Sequence, residues 1–313
     1  MKLQTQIPLY PEENQIDYSS KTLLLGSCFS ENIGAKFDYF KFQNIQNPFG
    51  VIFNPVSLEK LVIRAIENVP FSEEDIFHHN GIWKCFDAHS ELSSLDKGEL
   101  LKNLNTALQN LREALFSSSH IIFTFGTSWV YRNLENDEIV ANCHKLPQKN
   151  FKKELVSIKE TSACLKNIFD VISAINPNAT LINTVSPVRH IKDGFVENTR
   201  SKAHLIAAIH NIDNSGFHYF PSYEIMMDQL RDYRFYAEDM LHPNKTAIEL
   251  MWQKFSKVWI ASETELLQKE VASIQSGLRH RPFNSNSKEH LDFLEKLQQK
   301  IKTLQEKLPH IQF

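Results

Sequence analysis

The chain has 313 residues, 42% of them hydrophobic and 23% charged, with a formal net charge of −3. That length supports one large core or up to about three domains, the composition is that of an ordinary globular protein, and the charge balance leaves no electrostatic footprint for nucleic acid. Four scattered cysteines without a CxxC pair read as reduced thiols, no run reaches the roughly 18 apolar residues of a membrane helix, and the N-terminal segment lacks a signal-peptide apolar core, so a cytoplasmic protein without a membrane partner is expected.

Thr22-Leu23-Leu24-Leu25-Gly26-Ser27 is an apolar run that stops at glycine and serine, and the helical period of Ile33, Phe37 and Phe40 follows. A strand ending there delivers Ser27 to the C-terminal edge of a sheet, where open α/β proteins bind ligands and helix N-termini hold anions. Ser30 is the expected N-cap. Gly34 either costs its helix about 1 kcal/mol relative to alanine or marks a close approach. Asn47-Pro48-Phe49-Gly50 is a turn. Residues 55–69 form a helix on the stripe Leu58, Leu61, Val62, Ala65 and Ile66. Residues 70–97 mix aromatic residues with His78, His79, Asp87 and His89 and read as a loop or small hairpin. Leu101, Leu104, Leu108, Leu111 and Leu115 make a further helix. Residues 121–125 are a buried strand ending in Gly126-Thr127-Ser128, and Asn142-Cys143-His144-Lys145 lies in a loop.

A helix built on Leu165, Ile168, Phe169, Ile172 and Ile175 stops at Asn176-Pro177-Asn178. A strand over 180–185 ends in Ser186-Pro187. Then come a helix over 201–209, a strand over 217–220, and a long helix capped by Asn244 with the stripe Ile248, Met251, Trp252, Phe255 and Trp259. Strands alternating with amphipathic helices predict an α/β domain over residues 1–270, with a parallel central sheet covered on both faces. Residues 271–313 are expected to be a C-terminal extension: a polar connection over 275–288, then a helix carrying Leu294, Leu297, Ile301, Leu304 and Leu308. Its rhythm spans only about two heptads. Packing back onto the domain is the favoured arrangement, and pairing with a second copy is the alternative.

Ser27, Asp239 and His242 carry the chemistry. A serine hydroxyl needs an adjacent base to act as a nucleophile. Histidine, with an unperturbed pKa of about 6.5, serves as that base when a carboxylate fixes its tautomer and stabilises the imidazolium. Asp239-Met240-Leu241-His242 supplies both groups from one short loop. The order Ser, Asp, His matches the α/β-hydrolases, although their G-x-S-x-G elbow is absent.

Gly26-Ser27-Cys28-Phe29-Ser30 together with Asp239-x-x-His242 resembles the SGNH (GDSL-type) hydrolases and, more closely, the GSCFA domain family. Asn47-Pro48-Phe49-Gly50, Phe125-Gly126-Thr127-Ser128-Trp129, Asn142-Cys143-His144-Lys145 and Ser186-Pro187-Val188-Arg189 extend the resemblance over about residues 20 to 260. It implies a flavodoxin-like three-layer α/β/α fold and acyl-ester chemistry, with Ser27 as nucleophile, His242 as base and Asp239 as its partner. The SGNH pattern carries an oxyanion-hole asparagine in a G-x-N-D block; here Ser128 stands at that position. The backbone N–H groups of Ser27 and Gly50 are the expected oxyanion donors, with Ser128 or Asn142 as the third.

Arg189, just past a strand end, either holds a substrate anion or makes a structural ion pair. The spacing of Cys85, Asp87 and the nearby histidines fits no usual zinc pattern, and neither a metal nor an organic cofactor is expected. The leading expectation is an esterase or acyltransferase acting on an acyl ester of a carbohydrate or related small molecule. Its rivals are a non-catalytic ligand-binding domain and an assembly protein working through its C-terminal helix.

Overall fold

The apolar run at the start of the chain forms strand β1 (Lys21–Gly26) in the computed structural model, which describes residues 5–213 and 216–313. β1 lies between β2 (Gln43–Gln46) and β5 (His120–Phe125). β5 is followed across the sheet by β9 (Thr180–Val185) and β10 (Phe217–Tyr219), and every pairing is parallel. Counted along the chain, these five strands have the order 2-1-3-4-5, which is the flavodoxin-like winding. The winding reverses between β1 and β5, so the β1–α1 junction opens at the switch point of the sheet.

Side chains alternate across each strand. Leu23 and Leu25 of β1, Ile121, Phe123 and Phe125 of β5, and Leu181 and Val185 of β9 enter one core. That core is completed by α2 (Pro55–Glu67), α3 (Lys97–Ser117), α4 (Ile158–Ile175) and α5 (Phe195–His210). Leu24, Ile122 and Ile182 enter the opposite core with α1 (Cys28–Phe40), α7 (Lys245–Trp259), α8 (Glu265–Arg279) and α9 (Lys288–Lys307). Each such side chain contributes about 1.5–3 kcal/mol on burial. Burial on both faces is why these strands read as unbroken apolar runs.

Several local expectations hold with changed details. Asn244 caps α7, its side chain accepting the Ala247 N–H at 3.0 Å. Gly34 marks a close approach, since a Cβ there would fall 2.1 Å from the Gln46 side chain. Helix α1 starts three residues earlier than a Ser30 cap implies. Ser27 is its N-cap, and Ser30 lies inside the helix with its hydroxyl on the Leu25 carbonyl at 3.1 Å. The 70–97 region contains a true hairpin, β3 (Ile76–His79) and β4 (Ile82–Cys85). Helix α5 begins six residues before 201, and beyond β10 a single turn α6 (Ser222–Glu224) runs into a π-helical segment, Ile225–Gln229. The stretch after β5 holds a small antiparallel sheet that the sequence did not suggest, with β6 (Trp129–Asn133) between β7 (Ile139–Val140) and β8 (Phe151–Leu155).

At the C-terminus, α8 runs unbroken through residue 270 and through the first five residues of the expected polar connection. Gly277 within it lets α9 lie close, because a Cβ there would sit 2.8 Å from Leu297 Cδ1. Leu297, Ile301 and Leu304 are buried in the second core, whereas Leu294 stays 40% exposed. No helix among the described residues is long and apolar enough to cross a membrane.

Gly26 is a point of close approach between β1 and β5. Its φ is +131°, and a Cβ would fall 2.2 Å from the Thr124 carbonyl oxygen. Gly26→Ala is therefore expected to destabilise the fold by about 3 kcal/mol or more, read as the loss of urea midpoint; a change within about 0.5 kcal/mol would refute this account of the β1–β5 contact.

Candidate functional site

Past the C-terminal ends of β1, β5 and β9 lies a cleft of about 700 Å³. Its floor includes Ser27 and Cys28 at the start of α1 and Asn54 at the start of α2. One wall comes from the small sheet, through Trp129, Tyr131, Val140 and Phe151, and the other from residues 188–193 after β9. Leu241 and His242 close the rim.

Ser27 is 2% exposed. Its N–H donates to the Thr124 carbonyl at 3.0 Å, and its Oγ accepts the Phe29 N–H at 3.2 Å. The hydroxyl proton remains free to donate. As a helix cap, Ser27 sits at the positive end of the α1 dipole, where a developing anion is favoured.

The 239–242 segment is a tight turn with Met240 at φ 59°. Asp239 Oδ1 accepts the N–H groups of Leu241 at 2.9 Å and His242 at 3.0 Å, and Oδ2 meets His242 Nδ1 at 2.5 Å. The two backbone donors and then the imidazole hold the Asp239 carboxyl down to about 2. Asp239 is thus ionised at physiological pH, accepts the Nδ1 proton, and leaves the lone pair of a neutral His242 on Nε2, as a general base requires.

Arg189 holds that turn in place. Its N–H donates to the Leu241 carbonyl at 3.3 Å, its guanidinium donates to the Met240 carbonyl, and the same group lies 4.5 Å from the Tyr236 ring centroid. Among the described residues it makes no ion pair. It therefore joins the β9 edge to the His242 loop, a role that neither sequence-based alternative included.

The four expected oxyanion donors are dispersed. Ser27 N–H is occupied as above, and Gly50 N–H donates to the Asn47 carbonyl at 2.7 Å. Gly50 is absent from the cleft lining and packs against His89. Ser128 is fully buried and turned toward α5, its N–H on Ser201 Oγ at 2.8 Å and its hydroxyl on the Ser201 carbonyl at 3.1 Å. Asn142 does line the cleft; its amide donates to Ser90 Oγ at 3.3 Å and its carbonyl accepts the His144 N–H at 2.8 Å.

Two further residues stand beside the site. His190 lines the cleft, stacks on Phe53 at 5.1 Å and is held neutral, its pKa pushed down to about 3 by burial and then by the charges of Lys202 and His242. Lys202 is wholly buried with Nζ on the Ser186 carbonyl at 2.7 Å; burial pushes it down to about 7, and the Cys28 thiol feels its charge. The sequence signal for Lys202 was a lysine on the apolar stripe of α5, at i−3 from Leu205. The cleft thiols are poor nucleophiles: burial raises Cys28 and pushes Cys143 up to about 11. His144 donates its Nε2–H to the Cys85 carbonyl at 2.6 Å, and its Nδ1 accepts the Ser90 hydroxyl at 3.2 Å.

A family model described as GSCFA family matches residues 21–255, and one described as GSCFA domain protein, C-terminal domain, matches residues 271–313. No curated protein matches the sequence.

Lys202 gives stability a pH dependence of definite sign. Its folded value of about 7 lies below its ordinary 10.5, so between those values the unfolded chain holds more protons and stability rises with pH. The urea midpoint is expected to increase from neutral pH to about pH 8, above which the raised thiols of Cys28, Cys85, Cys143 and Cys164 act with the opposite sign, and Lys202→Met is expected to flatten that rise. A rise of the same size in the variant would remove Lys202 as its source.

Proposed function

The chain belongs to the GSCFA family, and on that premise we propose that it is a serine hydrolase of the SGNH type that cleaves or transfers an acyl ester of a carbohydrate or related small molecule. The observation that carries this reading is the Asp239–His242 pair, closed at 2.5 Å, whose imidazole lines the same cleft as Ser27.

In this mechanism Ser27 Oγ bonds to the ester carbonyl carbon as its proton passes to His242 Nε2, and the carbonyl π pair moves onto oxygen. Asp239 stabilises the resulting imidazolium. The pair then returns, the bond to the alcohol oxygen breaks, and His242 delivers its proton to that oxygen. Water, or a second alcohol, repeats the sequence in reverse to release the acyl group and restore Ser27. Because Ser27 and Cys28 open α1, the charge develops at the positive end of a 13-residue helix.

One observation favours a second reading, a ligand-binding domain without catalysis. Ser27 Oγ already serves as the α1 cap, and Ser128, at the position of the usual oxyanion asparagine, is committed to Ser201. A hydroxyl that accepts one bond still has a proton to give, so capping and attack are compatible.

A fluorophosphonate probe is expected to label Ser27, and a panel of acyl esters to be turned over. Ser27→Ala and His242→Ala should fall to background, and Asp239→Asn should lose roughly 10²- to 10⁴-fold in kcat. Absence of labelling in folded wild-type protein that still binds an ester would favour the binding-domain reading.

A further inference from the structure

Building on the assignment of Ser27 as nucleophile, we propose that His190 is a catalytic residue of the same reaction: its Nε2–H donates a hydrogen bond to the substrate carbonyl oxygen as that atom becomes an oxyanion. The expected donors fill this function at most in part. The N–H groups of Ser27 and Gly50 are spent on backbone carbonyls, Ser128 faces α5, and Asn142 Nδ2 gives one of its two protons to Ser90.

His190 has the position. Its Nε2 is buried and has no hydrogen-bond partner. It stands over Gly126, where a Cβ would come within 3.2 Å of it. Gly126 follows the end of β5, the parallel neighbour of β1, and Gly26 is in register with Thr124, whose carbonyl takes the Ser27 N–H. The imidazole thus lies at the edge where Ser27 emerges, over the residue that begins the block matching G-x-N-D.

The ring is also preorganised. It stacks on Phe53 with an interplanar angle of 30°, and its backbone N–H is held by Asn198 Oδ1 at 2.8 Å. A neutral imidazole with its proton on Nε2 has no lone pair on that nitrogen, so it offers a donor there and does not take the Ser27 proton in place of His242. An unmet buried donor is costly, and a developing oxyanion is its strongest acceptor, so the gain is largest in the transition state, where it raises kcat. The His190 proton is shared in a hydrogen bond and not transferred; every bond made and broken remains as described for Ser27 and His242.

The test compares His190→Phe, which keeps the stacking ring without a donor, with His190→Gln, which keeps a donor. Each is checked for a wild-type-like thermal melt. The rate of Ser27 labelling by a fluorophosphonate and the kcat for an ester are expected to fall about 10²-fold in His190→Phe, with KM changed little, and to recover in part in His190→Gln. A labelling rate in His190→Phe equal to that of wild type would overturn the role of His190 while leaving Ser27 as nucleophile. Wild type that does not label at all would overturn the hydrolase reading and this one with it. If His190→Phe does not fold, the ¹⁵N resonance of His190 Nε2 in wild type, followed on addition of an alkylboronic acid, decides: a shift on formation of the Ser27 adduct supports the contact, and an unmoved resonance removes it.

Discussion

The contact between the ends of β1 and β5 is what the rest of the site depends on. Gly26 turns through a φ of +131° with its Cα against the Thr124 carbonyl, so the chain leaves β1 and enters α1 without an intervening loop. One residue then does three things: Ser27 ties its N–H to the neighbouring strand, caps α1, and faces the cleft. A side chain at position 26 would push the strands apart or swing the cap away. The glycine is required by packing as well as by backbone angle. The Asn47 side chain accepts the Gly26 N–H at 2.8 Å, so the turn after β2 supports the same point.

The second constraint brings the late part of the chain to the early part. The 239–242 turn has little apolar surface to anchor it. It is held by polar contacts: Asp239 satisfies two of its backbone donors, and Arg189 binds two of its carbonyls while packing against Tyr236. Arg189 sits just past β9, the strand next to β5. The parallel order of the sheet therefore brings Ser27, on the cleft floor, and His242, on its rim, to line one cleft, although they are far apart in sequence. Beneath them Lys202 and His190 are buried where charge is disfavoured, and burial holds both below their ordinary values.

The C-terminal helices act on the opposite face of the sheet. Leu297, Ile301 and Leu304 complete the core that Leu24, Ile122 and Ile182 begin, and Gly277 sets how closely α9 approaches. The extension is thus part of the fold that supports α1, and through α1 it supports the position of Ser27.

What could be read from residues alone followed from local physics. The apolar runs at 22–25, 121–125 and 180–185 are strands because both faces are buried, and the stripes of α2, α3, α4 and α7 follow from the helical period. Asp-x-x-His closes a ring of bonds within four residues, so the Asp239–His242 pair was legible without any distant contact. The Asn80-Gly81 turn, with both residues at positive φ, carries the hairpin signal that makes β3 and β4 pair. Tertiary structure decided the rest, because it depends on which segments meet. The β7-β6-β8 sheet is built from short strands whose pattern is too brief to show. Ser128 turns toward Ser201 because α5 packs there. Arg189 finds carbonyls rather than a carboxylate because the 239–242 turn docks on it. His190 and Lys202 owe their charge states to burial, which no local spacing encodes.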